Sequence, residues 1–166
     1  MNGCRQYHAG EIIERLKSRL PRDAFCLVGI TMEDLYPRDT WNFVYGLARS
    51  NTGVFSFCRY LEGADREEVI FRSVKVMTHE IAHMFGLKHC IYYQCALNGS
   101  MHAGEAFSRP AHLCPVCLLK LHRCLGFNIV ERYQLLADIC DKVPAEGFVR
   151  ERDWYRTRIQ AITARS

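Results

Sequence analysis

The chain contains no uninterrupted apolar run of about eighteen residues, the length that marks a membrane-spanning helix, so a membrane partner is set aside. Its opening stretch, MNGCRQYHAGEIIERLKSRL, lacks the apolar core of a secretory signal. The mature chain is therefore expected inside the cell, in the cytoplasm with the nucleus as a second compartment. There is no low-complexity tract, no internal repeat and no segment poor enough in apolar residues to stay disordered. Also missing is any cluster of Lys and Arg: the 22 basic and 18 acidic residues are interspersed, for a net charge of +4. Nucleic acid is therefore not an expected partner.

Cysteine is plentiful, with nine among 166 residues. An odd number cannot all pair with one another, and in a reducing compartment clustered cysteines point to metal before disulfides. Four of them fall in two pairs, Cys90/Cys95 and Cys114/Cys117; the others, Cys4, Cys26, Cys58, Cys124 and Cys140, read as small buried or partly buried apolar residues. The length fits one domain, 1–166, acting as a monomer.

Apolar spacing predicts a helix over 10–20, closed by Pro21, and a buried strand over 24–31. MEDLYPRDT reads as a loop, and WNFVYGL (41–47) and GVFSFCRY (53–60) as strands separated by ARSNTG, without a simple hairpin being implied. From Asp65 the period changes to that of a helix, with Asp65 as N-cap, acids in the first turn and Gly86 at the stop. Ile70, Val74, Met77, Ile81, Met84 and Phe85 form one apolar stripe on it, predicted to face the core and to leave His79 and His83 on the opposite side, toward a cleft. Irregular chain to about Pro110 and three helices near 110–124, 129–142 and 147–163 complete an α+β pattern, sheet first and helices later.

His79, Glu80 and His83 form H-E-x-x-H, which places two imidazoles at i and i+4 on one helical face where both reach a single Zn²⁺. Gly86 lets the chain leave the helix sharply, and His89 then completes H-E-x-x-H-x-x-G-x-x-H. A lone histidine is usually a hydrogen-bonded or solvated side chain, but the full string arises by chance only on the order of once in ten thousand chains of this composition. Three nitrogen ligands leave one position open, as a catalytic zinc requires, and Glu80 stands beside the metal as general base. The C-x4-C pair Cys90/Cys95 and the C-x-x-C pair Cys114/Cys117 together offer four thiolates, the complement of a closed structural zinc. Two zinc ions per chain are expected. A redox C-x-x-C is disfavoured, because this one opens a helix in the C-terminal half and not a βαβ unit.

The two patterns joined at His89-Cys90 resemble the archaemetzincin family of zinc metallopeptidases, in the metzincin clan. The resemblance extends over FCLVGITMEDLYPRDTWNFVYGLA, GVFSFCRY and RPAHLCPVCLLKLHRCLGFNIVERY. It implies a compact metzincin-like zincin fold, with a twisted mixed sheet and the active-site helix in an upper subdomain (about 1–86) and a helical lower subdomain with the structural zinc (87–166). It also implies peptide or protein substrates, His79, His83 and His89 on the catalytic zinc, Glu80 as the base, and Cys90, Cys95, Cys114 and Cys117 on the second zinc. An edge strand above the metal would pair with extended substrate; GVFSFCRY is the candidate, with an internal strand as the equal alternative.

This chain departs from the family where a methionine is expected two residues after the second cysteine: it has Leu97, with Met101 further on. Either Leu97 takes the methionine's place, a swap that usually costs less than about 1.5 kcal/mol, or the turn rearranges and Met101 fills it. A non-catalytic alternative remains, a two-zinc adaptor in which both metals serve stability; Glu80 argues for the enzyme, since a structural His₃ site needs no adjacent carboxylate.

Overall fold

The computed structural model describes residues 5–60, 63 and 65–164. Strand β1 (Gln6–His8) leads directly into helix α1 (Ala9–Lys17), followed by β2 (Leu27–Thr31), β3 (Asp34–Tyr36), β4 (Gly46–Arg49) and β5 (Thr52–Ser56). After a short 3-10 turn, Cys58–Tyr60, come α2 (Arg66–Met84), α3 (Ala103–Ser108), α4 (Pro115–Leu125), α5 (Ile129–Cys140) and α6 (Glu146–Thr163). None of these helices is long and apolar enough to cross a membrane.

The main sheet is mixed, in the order β2-β5-β4, with β2 parallel and β4 antiparallel to β5. All five residues of β5 are buried. Alternation sends Val54 to the α1 side, with Ile13 and Leu35, and Phe55 to the α2 side, with Tyr60, Val76 and Met84. The expected edge strand is therefore the sheet's centre. A fully buried strand reads as a continuous apolar run and carries no signal of which strands flank it.

The segments 41–47 and 53–60 are in fact two arms of a tight hairpin whose paired residues begin later. Only Gly46–Arg49 is strand in the first arm, preceded by an isolated bridge from Val44 to Leu35. Arg49 pairs with Thr52, and Ser50 at the turn takes φ 53°. The stretch expected to be loop contains β3, which pairs in parallel with β1. Its Asp34 is buried and accepts hydrogen bonds from Arg59 Nε (2.9 Å), Arg59 Nη2 (2.7 Å) and Gln6 Nε2 (2.8 Å). Burial pushes the Asp34 carboxyl up, but these donors outweigh it and hold it below its ordinary value.

Helix α2 starts where the sequence placed it, with the Asp65 side chain accepting from Glu68 N at 2.8 Å. Its core face is different. Ile70 and Val74 are each 38% exposed, whereas Phe71, Ser73, Lys75, Val76, His79, Ala82 and Met84 are buried. The single-stripe reading fails because α2 is covered on two sides: Val76 and Met84 face the sheet, while Phe71 and Ala82 join a second core with α4, α5 and α6. Polar residues between these faces are buried with partners, as Lys75 Nζ donates to Phe107 O at 2.6 Å and Ser73 Oγ to Val69 O at 2.7 Å. His79 consequently lies within the protein and not on a side opposite the core.

Of the unclustered cysteines, Cys140 is buried and Cys26 and Cys58 are partly so, but Cys124 is exposed on α4, against expectation. Cys4 lies outside the described residues.

Helix α6 approaches α2 through Gly147, where an added Cβ would overlap the Phe71 ring, itself packed edge-on against Phe148 at 5.0 Å. Gly147→Ala is expected to destabilise the fold by about 1–3 kcal/mol despite alanine's better helix propensity. Urea unfolding would check this, and an unchanged midpoint would mean that the two helices are not in close contact.

Candidate metal centres

His79 and His83 lie one turn apart at the C-terminal end of α2, and His89 follows on the chain that leaves Gly86, whose φ is +79°. The three rings converge, with centroid separations of 4.6, 5.2 and 4.9 Å. Each of the first two rings uses Nδ1 against a backbone carbonyl: His79 donates to Ala96 O at 2.8 Å and His83 to Leu87 O at 2.6 Å. Both Nε2 atoms therefore face each other, 3.1 Å apart. A tetrahedron with metal–nitrogen bonds of about 2.0–2.1 Å has edges of about 3.3 Å, so the spacing fits zinc. The backbone carbonyls fix tautomer and ring orientation, as second partners do at metal-binding histidines.

Burial pushes His79 down to about 3 and His89 below its ordinary value, in both cases with help from neighbouring cations, so both imidazoles present neutral nitrogens at neutral pH. Glu80 shares the cleft with His79 and His89, and burial raises its carboxyl against the pull of His83 and Arg109. A carboxylate raised in this way is a better proton acceptor at neutral pH than an exposed one.

The second cluster brings Cys90, Cys95, Cys114 and Cys117 together, all buried. Cys90 Sγ and Cys114 Sγ stand 3.8 Å apart, and a tetrahedron with zinc–sulfur bonds of about 2.3 Å has edges of about 3.8 Å. Pro115 opens α4 at its first position and Cys114 caps it, its sulfur accepting from Cys117 N at 3.5 Å. Burial pushes the Cys95 and Cys117 thiols up, so four thiolates this close call for a cation to hold them. Both predicted ligand sets are thus brought together by the fold.

Leu97 is completely buried in the cluster of Cys90, Cys95 and Leu113, and Met101 is 93% exposed, so Met101 does not fill the turn.

Three organising residues escaped the sequence reading. Asn98 ties the cysteine loop: its Oδ1 accepts from Cys95 N at 2.8 Å, and its Nδ2 donates to the carbonyls of Cys90 and Tyr93, both at 2.8 Å. Arg109 Nη1 donates to Asn98 O at 2.8 Å. Glu151 on α6 is 7% exposed and accepts from Ala111 N and His112 Nδ1, each at 2.8 Å. The carbonyl of His112 accepts from Ala96 N at 2.8 Å, and Ala96 O holds His79. For Asn98 a turn-forming residue just after a C-x4-C pair was an available signal; the other two act across distances that local patterns do not encode.

Comparison with known proteins decides the family, since residues 10–123 match the model of peptidase family M54. The chain belongs to that family. It is 44% identical over 165 residues to archaemetzincin-2 of Homo sapiens, covering 79% of this chain and 45% of that protein. Archaemetzincin-1 of Mus musculus is 36% identical over 166 residues, covering 79% of this chain and 33% of the relative. This M54 chain therefore spans less than half the length of the curated relatives it matches. The crystal structure of archaemetzincin from Methanopyrus kandleri superposes with a TM-score of 0.65 at 34% identity, over 74% of this chain and 67% of that one. The match confirms the expected fold, a mixed sheet with a helical part beyond it.

Glu151 lies outside the family match, yet it anchors the segment that positions His79. Glu151→Gln weakens this clamp and is expected to lower zinc affinity at the histidine site by about tenfold, the lower end for loss of outer support. Competition with a chromophoric chelator would measure this; unchanged affinity would show that α6 does not reach the metal site.

Proposed function

We propose that the chain is a zinc-dependent metallopeptidase carrying two zinc ions, one held by His79, His83 and His89 and one by Cys90, Cys95, Cys114 and Cys117. The observation that carries this reading is the placement of Glu80 beside His79 and His89 in a cleft of about 450 Å³. His79, His83 and His89 would hold the zinc, which would supply Lewis acidity at the cleft near neutral pH. Glu80 accepts the proton of the attacking water and passes it to the leaving amine, with no covalent attachment of substrate to the protein. The cysteine site has no position left for substrate and serves structure.

One wall of the cleft is the segment from Trp41 to Gly46, which leads into the edge strand β4. Its main chain, in place of β5's, is the surface along which an extended peptide adds as a further strand. We assign 1–86 to an upper subdomain and 87–166 to a lower one, with peptide or protein substrate held between them by a single chain.

A second reading, a two-zinc adaptor, is favoured by one observation: Ile91, Tyr92 and Tyr93 on the cysteine loop are 82%, 72% and 57% exposed. Glu80 discriminates between the two. Glu80→Ala is expected to retain two zinc ions per chain while peptide hydrolysis falls at least about a hundredfold; unchanged turnover removes its assigned role. Cys90→Ser tests the coupling of the two sites, because Cys90 N donates to Leu97 O at 2.9 Å and its neighbour His89 closes the first site. Zinc content measured by atomic absorption should drop, and activity with it. If both stayed whole, the sites would be independent.

A further inference from the structure

Arg109 is 8% exposed and lines the same cleft as Glu80, His79 and His89. Its Nη1 is held by Asn98 O, but its Nε is buried without any hydrogen-bond partner. Among the described residues no carboxylate lies within ion-pair distance of it. An arginine does not neutralise itself by losing its proton, so burial of a guanidinium without an ion-pair partner costs stability unless a counter-charge arrives. Its surroundings supply only a partial one: Glu80, the one acid lining the cleft among the described residues, attracts it from beyond ion-pair distance, while Lys75 and His79 both feel it as a neighbouring cation. Among the described residues the other buried side-chain polar atom without a hydrogen-bond partner is Tyr60 Oη, which lies in the field of both Arg109 and Glu80. The cleft is also lined by Trp41, Phe43 and Tyr45, the last stacked on Tyr60 at 4.9 Å.

We infer that Arg109 is a specificity-determining residue that anchors a carboxylate of the substrate, so that the cleft selects peptides bearing an acidic group. The planar fork of arginine matches a carboxylate, and a buried charge-assisted pair is worth more than one at the surface. An Asp or Glu side chain and a free C-terminal carboxylate offer the same chemistry. The inference rests on the reading of the cleft as a peptide site, but not on hydrolysis occurring there.

The test uses zinc-loaded Glu80→Gln protein and short peptides in which Glu, Gln or Lys is walked through each position, with the C-terminus amidated or free. Affinity is read by fluorescence anisotropy. At one position Glu should bind about tenfold more tightly than Gln, with Lys weakest; if the terminus is the source, the free acid should outbind the amide instead. Introducing Arg109→Gln should reduce either preference to within about twofold, and Arg109→Lys should retain part of it. Circular dichroism and a zinc count of two per chain establish that these variants fold, and the preference of the Arg109-containing protein is measurable without them. Equal binding of acidic and neutral peptides, or a preference that survives Arg109→Gln, overturns the inference. Cleavage of the same peptides by the unmodified chain runs in parallel. Cleavage without charge preference overturns the inference and leaves the hydrolytic function standing. Arg109-dependent binding of acids with no cleavage leaves the inference standing and overturns hydrolysis.

Discussion

The hydrogen bond from His79 Nδ1 to the carbonyl of Ala96 joins parts of the chain that would otherwise be separate. On one side is α2, fixed to the sheet through Val76 and Met84; on the other is the segment between the two cysteine pairs. The bond orients the imidazole, and its acceptor is positioned by everything that fixes residue 96. Ala96 N donates to His112 O, and His112 is clamped by Glu151 from α6. Asn98 draws the same loop onto Cys90 and Cys95, and Arg109 holds Asn98 from the cleft side. The histidine site is thereby reached by hydrogen bonds from the cysteine loop and from the last helix, so its geometry is a property of the whole fold and not of the helix that carries two of its residues.

This explains why the two metal clusters were readable in the sequence while their supports were not. Metal chemistry restricts residue type and local spacing together, and H-E-x-x-H at i and i+4 or C-x-x-C at a helix start leaves little freedom. The Asp65 cap and the Gly86 turn were readable for the same reason, since each is a local backbone requirement. Glu151 and His112 are 39 residues apart, and Arg59 and Asp34 are 25 apart. No periodicity links such pairs. The position of β5 at the centre of the sheet is likewise a non-local fact: strand character lies in Val54 and Phe55, but strand order depends on which segments pair with it.

The misread face of α2 has a more specific cause. A helix moment assumes that apolar means inward, and that holds for a helix with one buried face. Here α2 is wedged between the sheet and the helical core, and Ser73, Lys75 and His79 are buried because each finds a carbonyl. The apolar stripe then cannot mark the only covered side, and Ile70 and Val74 are left half in solvent. Burial of polar groups along α2 costs stability that a purely apolar helix would not lose, but it sets their direction, since each is held by a carbonyl.

Direction is also the answer to the adjacency of His89 and Cys90. Consecutive residues in extended chain project to opposite sides, so one peptide unit can serve two ligand sets without the ligands competing. Cys90 N is fixed by Leu97 O and Cys90 O by the Asn98 amide, so the backbone at Cys90 is held at both ends while its sulfur faces Cys114. His89 hangs from that fixed point, beside Gly99, where a Cβ would press on its ring at 3.2 Å. The cysteine cluster thus fixes the backbone next to His89, whereas Ala96 and Leu87 hold the rings of His79 and His83 directly. His79 and His83 take their orientation, and His89 its position, from the backbone of residues 87–99, and Leu97, sealed in the core, supports that backbone by volume.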